Sequence, residues 1–209
     1  MIAPATLAVF FAASALLALA PGPDNLYVLA QSALRGPGAG LAVTVGLCTG
    51  LLVHTAAVTL GVAALMRASP AAFAALKLAG AGYLLYLAWR AFGAAATELE
   101  AARERALGGW AYYRRGILMN VTNPKVSIFF LAFLPQFADP ARGALAPQLA
   151  LLGGVFIVAA LLVFGAISFA AGRLGERLRR SARAQRVLNR IAGLVFVGLA
   201  LKLAAGEIG

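Results

Sequence analysis

Charged side chains are scarce in this sequence. Of 209 residues only 12% are Asp, Glu, Lys or Arg, where a soluble domain carries about 25%. Acids are scarcer still, 7 against 18 Lys+Arg, for a net charge of +11. There is one cysteine, Cys48, and one histidine, His54. A lone cysteine excludes an internal disulfide and reads as a small core residue. One cysteine, one histidine and few acids do not make a selective metal site. There is no G-x-S-x-G elbow and no evident Ser/His/Asp set, which argues against an enzyme. The low charge also excludes an ordinary water-soluble globule, and 62% hydrophobic residues exclude disorder.

What the chain has is long apolar runs, with a mean hydropathy of +0.88. About 20 such residues cross a bilayer core as a helix. Runs at 3–33, 39–66, 71–93, 114–137, 146–172 and 189–206 predict six segments. The first is interrupted by Pro21-Gly22-Pro23-Asp24 and the fourth by Asn123-Pro124-Lys125. A five-span reading makes part of the first run re-entrant. Residues 1–20 lack the basic start of a signal peptide, and cleavage after Ala18-Leu19-Ala20 would have to occur at Pro21, so the segment is expected to remain. Cations concentrate between segments one and two, three and four, and five and six. Only Arg67, Lys77, Arg142 and Lys202 fall on the other side. The positive-inside rule then puts both termini outside the cytoplasm, and the net charge reports orientation and lipid headgroups rather than nucleic acid.

The two halves are distantly alike. Sliding the chain by 101 residues lays Pro23-Asp24 on Pro124-Lys125, and Lys77-Leu78-Ala79-Gly80 later resembles Arg190-Ile191-Ala192-Gly193. With three segments each, the halves enter the membrane from opposite sides. The fold class expected is therefore an all-α polytopic membrane protein: two inverted three-helix repeats, the first helix of each broken. Repeat one covers about 1–93, a cytoplasmic loop about 94–113 and repeat two about 114–209.

Matched broken helices are the sequence pointer to a transport site. Gly22 and Asn123 suit N-caps, and Pro23 and Pro124 suit first helical positions, so each break reads as a helix restarting. Restarting N–H groups suit an anion and the carbonyls of the helix that ends suit a cation. Two breaks meeting near the midplane would hold a small zwitterion. Asp24 agrees with the dipole of its helix. Lys125 opposes its own, so something anionic is expected beside it: either Asp24, in a structural ion pair locking the halves, or a substrate carboxylate. Asp24 could also carry a proton, because charges within a membrane are usually functional.

The chain resembles the lysine exporter (LysE/RhtB) superfamily of bacterial amino-acid exporters over almost its whole length. The likeness rests on Ala20-Pro21-Gly22-Pro23-Asp24-Asn25, on Gly46 to Gly50 with Val53-His54, and on Leu76-Lys77 with Gly80, Gly82 and Tyr83. It continues in Asn120-Val121-Thr122-Asn123-Pro124-Lys125, Phe129-Phe130 and Phe133-Leu134-Pro135-Gln136-Phe137. The resemblance implies efflux of amino acids or derivatives driven by proton antiport, with the RhtB-type branch, exporters of threonine, homoserine, leucine and related neutral compounds, as the nearest likeness. It implies an inner-membrane protein with an amino acid and protons as partners, no cofactor, no nucleic acid, and room for a homo-oligomer. The candidate substrate and proton residues are Asp24, Lys125, Asn123, Gly22, Asn25, Asn120 and His54, with Pro21, Pro23 and Pro124 shaping the breaks. Alternatives are a metal-cation exporter of the wider superfamily and a non-transporting membrane scaffold.

Two candidates stay open between roles. Gly46, Gly50, His54 and Gly61 fall near one helical face, so His54 faces protein, either as a packed histidine or in a proton relay. Asn120 either contacts the site or caps local backbone. Tyr83, Tyr86 and Trp89 read as interfacial or packing aromatics.

Overall fold

The computed structural model describes residues 2–62, 64, 65, 69–93, 107–171 and 182–205. Among these there are helices and no strands. Eight α-helices follow in order: α1 Pro4–Leu19, α2 Pro23–Arg35, α3 Pro37–Ala57, α4 Pro70–Gly93, α5 Gly109–Val121, α6 Pro124–Ile128, α7 Leu145–Ala170 and α8 Ala182–Ala205. A π-helical turn, Val58–Val62, extends α3. A second, Phe129–Phe133, extends α6 and runs into a 3-10 turn, Leu134–Phe137.

Proline sets most of the starts. It occupies the first helical position of α1, α2, α3 and α6, where its missing N–H would have had no partner in any case. Ser69 caps α4, its hydroxyl accepting from Ala72 N at 3.2 Å. Between α2 and α3 the chain turns on Gly36, whose φ of +87° is a left-handed value that favours glycine.

Three helices, within Pro37–Gly61, Ala71–Gly93 and Leu145–Ala170, are long and apolar enough to cross a membrane. Two bent pairs add up to two more spans: α1 with α2, bent by 62°, and α5 with the Pro124–Phe137 helix, bent by 50°. The structure thus carries three to five candidate spans by length and composition. α8 is a helix of 24 residues packed along α4.

Apolar side chains fill the core and also cover much of the surface. Large apolar side chains such as Leu60, Trp89 and Trp110 are exposed, whereas Ser14, Asp24, Asn25, Gln31, Asn120 and Gln148 are buried. That distribution suits lipid outside and polar contacts within. Between helices in lipid, close packing replaces the hydrophobic driving force, so small residues matter. α3 crosses α5 where Gly46 faces Gly116. A Cβ on either would strike backbone of the other helix, and Gly116 Cα would lie 3.0 Å from a Cβ on Gly46. Beside this crossing lies an aromatic core of Phe10, Phe129, Phe130, Phe133, Phe137 and Phe156, with Phe129 and Phe133 4.8 Å apart between ring centres.

Several expected boundaries moved. α5 starts at Gly109, inside the stretch read as loop, because Trp110 and Tyr113 stack on its first turn at 5.2 Å. α8 starts at Ala182, before the apolar run begins. Lys77 and Lys202, counted as outer cations, lie within helices against aromatic rings: Lys77 5.7 Å from the centre of Phe73, Lys202 3.7 Å from that of Phe137. Arg67, Arg103, Arg105, Arg173, Arg177, Arg179 and Arg180, which carried much of the orientation argument, lie outside the described residues.

Candidate functional site

The first break is a matter of backbone accounting. A helix leaves its last four carbonyls without partners, and in lipid each costs several kcal/mol. Ala20 precedes a proline and is driven extended (φ −59°, ψ 126°), which ends α1 at Leu19. Gly22 follows, fully extended, and Pro23 restarts the chain as α2. Leu16 O is satisfied by Ala20 N at 2.9 Å. Ala18 O and Leu19 O accept from Asn25 Nδ2 at 3.3 and 3.1 Å, and Ala20 O at 2.9 Å. Asn25 Oδ1 meanwhile accepts from Gly22 N at 2.7 Å. The amide of Asn25 is thus wholly committed to stapling the break and presents nothing to a ligand.

One carbonyl of that turn remains, and its donor comes from the other half of the chain. Lys125 Nζ donates to Leu17 O at 3.2 Å and to Ala20 O at 3.1 Å. Lys125 sits at the second position of α6, where its charge opposes the helix dipole. What stands beside it is the carboxyl end of α1, whose neutral carbonyls form the negative end of that helix's dipole. A Cβ on Gly22 would lie 3.1 Å from the ammonium, so glycine there leaves it room. Asp24 and Lys125 make no direct salt-bridge contact, but their charges act on each other across the cavity that both line.

The second break has the same logic with different residues. Thr122 N and Oγ1 both donate to Leu118 O, at 3.0 and 2.8 Å. Asn123, held extended before Pro124, caps α6: its Oδ1 accepts from Lys125 N at 3.0 Å. Asn120 O accepts from Asn123 N at 3.0 Å and lies 3.1 Å from His54 Nε2. A carbonyl only accepts, so Nε2 carries the hydrogen. His54, 5.6 Å from the ring of Phe130, therefore reaches the end of α5 from the first half. Each half's broken helix is finished by a basic side chain from the other half.

Asp24 and Lys125 line one cavity with Asn120, Leu51, Phe156 and Phe164. Asp24 is 3% exposed and Lys125 8%. Asn120 Nδ2 donates to Asp24 Oδ2 at 3.4 Å, so Asn120 turns to Asp24 rather than to local backbone. A Cβ on Gly50 would fall 2.8 Å from that amide, and glycine makes the space for it. Three polar atoms here are buried without a close hydrogen-bond partner: Asp24 Oδ1, Asn120 Oδ1 and Asn123 Nδ2, although the Asn123 side chain lies near enough to act on the Asp24 carboxyl. Buried polar groups are ordinarily paired. Two acceptors and one donor, beside a lysine with one N–H still to give, match an ammonium joined to a carboxyl or carbonyl group. The cavity holds only about 10 Å³ of room for water, too little for an amino acid.

Sequence reasoning named the side chains but missed Leu17 and Ala20, which act through backbone carbonyls that any residue type could supply. Gly61 shares the sequence spacing of Gly46, Gly50 and His54 yet meets nothing within 4 Å. The π-helical turn at Val58 rotates the chain before Gly61 is reached.

A family description, LysE type translocator, matches residues 15–207. The chain belongs to the LysE family. It is a membrane transporter and not an enzyme. It is 33% identical over 197 residues to the homoserine/homoserine lactone efflux protein of Salmonella typhimurium, covering 93% of each chain. It is 28% identical over 189 residues to the leucine efflux protein of Salmonella choleraesuis, with 90% of this chain and 89% of that one covered. An uncharacterised membrane protein of Pseudomonas aeruginosa is 33% identical over 197 residues, 91% of this chain and 90% of that protein. No solved structure matches the chain.

Proposed function

We propose that this LysE-family protein exports amino acids or their derivatives from the cytoplasm across the inner membrane, by proton antiport with alternating access. The observation that carries the reading is Asp24: a buried carboxyl with one oxygen unpartnered, in a cavity shared with Lys125 and flanked by two broken helices. Asp24 Oδ1 and Asn120 Oδ1 receive the substrate ammonium. The remaining N–H of Lys125 and the Asn123 amide receive its carboxyl end. A proton on Asp24 and an ammonium beside it exclude one another, which couples the two flows. Gly22, Pro21, Pro23 and Pro124 shape the breaks, while Asn25 and His54 hold them.

The architecture proposed is six spans in two inverted repeats, about 1–93 and 114–209, with both termini outside the cytoplasm. Support comes from the swapped packing. α3 of the first half lies on α5 of the second, α7 of the second lies on α1 of the first, and α4 meets α8. The relatives named for homoserine and leucine efflux support a small neutral substrate. The test is a panel of labelled amino acids, homoserine and leucine among them, loaded into vesicles bearing the protein. Efflux accelerated by an inward proton gradient is expected. If no member leaves faster than from empty-membrane controls, the reading fails.

A further inference from the structure

We propose that the Lys125 ammonium is a tethered monovalent cation seated in a cation site built from the end of α1. The reading goes beyond the exporter assignment, because it concerns what fills the first break rather than what is exported. Leu17 O and Ala20 O converge on Nζ at 3.2 and 3.1 Å from the carboxyl end of a 16-residue helix, where a cation is favoured. The carbonyls do not depend on Lys125 for their placement. Of the two seat oxygens, Ala20 O is clasped by Asn25 from within the first half and Leu17 O is placed by α1 itself, so both keep their geometry whichever cation sits there. Asp24 adds a carboxyl to the same cavity. Gly22 keeps the seat open, since a Cβ would come within 3.1 Å of Nζ.

A seat preformed by one half and filled by a side chain of the other predicts a specific behaviour. Removing the side chain leaves a vacancy that a small cation enters. Ammonium matches best, because it repeats the N–H donors of lysine at hydrogen-bond distance.

The test melts the purified wild type and Lys125→Ala in detergent, in ammonium, potassium, sodium or choline chloride at matched ionic strength. Lys125→Ala is expected to melt about 2–4 °C higher in ammonium than in choline, saturably, while the wild type is indifferent to the cation. If Lys125→Ala cannot be isolated folded in choline, ammonium during purification is expected to rescue it. Lack of any cation effect on melting, lack of rescue in every salt, or an equal shift in the wild type each overturns the proposal. Melting needs no substrate, so failure of the exporter reading would leave this result standing, and the reverse.

Discussion

Asp24 and Asn25 are neighbours in sequence, both buried, and do opposite work. Asn25 makes four hydrogen bonds and has no capacity left, whereas Asp24 hydrogen-bonds through one oxygen and leaves the other without a close partner. Substitution should separate them. Asp24→Asn keeps the shape and removes the charge, so proton-driven efflux is expected to fall to background with normal amounts of protein in the membrane. Unchanged efflux would take Asp24 out of the coupling. Asn25→Ala strips the only donor from Ala18 O and Leu19 O. Each buried group left unpaired costs about 1–3 kcal/mol, so the melting temperature should drop by about 5–10 °C. Melting within a degree of wild type would show that the break does not need its staple.

At the level of elements, the tightest joint is that between α3 and α5, where glycines allow backbone to touch backbone. Gly46→Ala places a Cβ against Tyr113 O and Gly116 Cα, neither of which can move without the helix it belongs to. The helices must part, and a loss of about 2–4 kcal/mol is expected from overpacking and lost contact. Gly61→Ala and Gly82→Ala meet open space and should stay within about 0.5 kcal/mol. Size-exclusion profiles of detergent extracts compare all three, and equal profiles would sink the packing argument. The contrast marks how much of the fold could be read beforehand. Prolines announced both breaks and most starts, because their geometry is local. The phase of α3 beyond Val58 could not be read, since nothing in Val-Thr-Leu-Gly-Val calls for a π-helical turn. Nor could the partner of Lys125, because carbonyl acceptors leave no mark in a sequence. Lys125 hydrogen-bonds to neutral carbonyls while its charge still acts on Asp24 across the cavity.

At the scale of the whole molecule, the cavity between the breaks is too small for any amino acid. Transport by the proposed route requires the halves to move apart on one side at a time. Leu51→Cys, made in a Cys48→Ser background, places a thiol in the cavity wall where the native side chain is fully buried. An impermeant thiol reagent should leave it unmodified at rest and label it from one side once substrate and a proton gradient are supplied. Labelling from both sides at rest would rule out alternation. The exchange of basic side chains between the halves has a consequence for biogenesis. The carboxyl end of α1 is complete only when Lys125 arrives, and that of α5 draws on His54, already in place. During synthesis helices α1 to α4 must therefore wait in the bilayer with Leu17 O unsealed until the second half emerges. The nascent first half is then a client for insertion chaperones, and two separately expressed halves should accumulate only when made together.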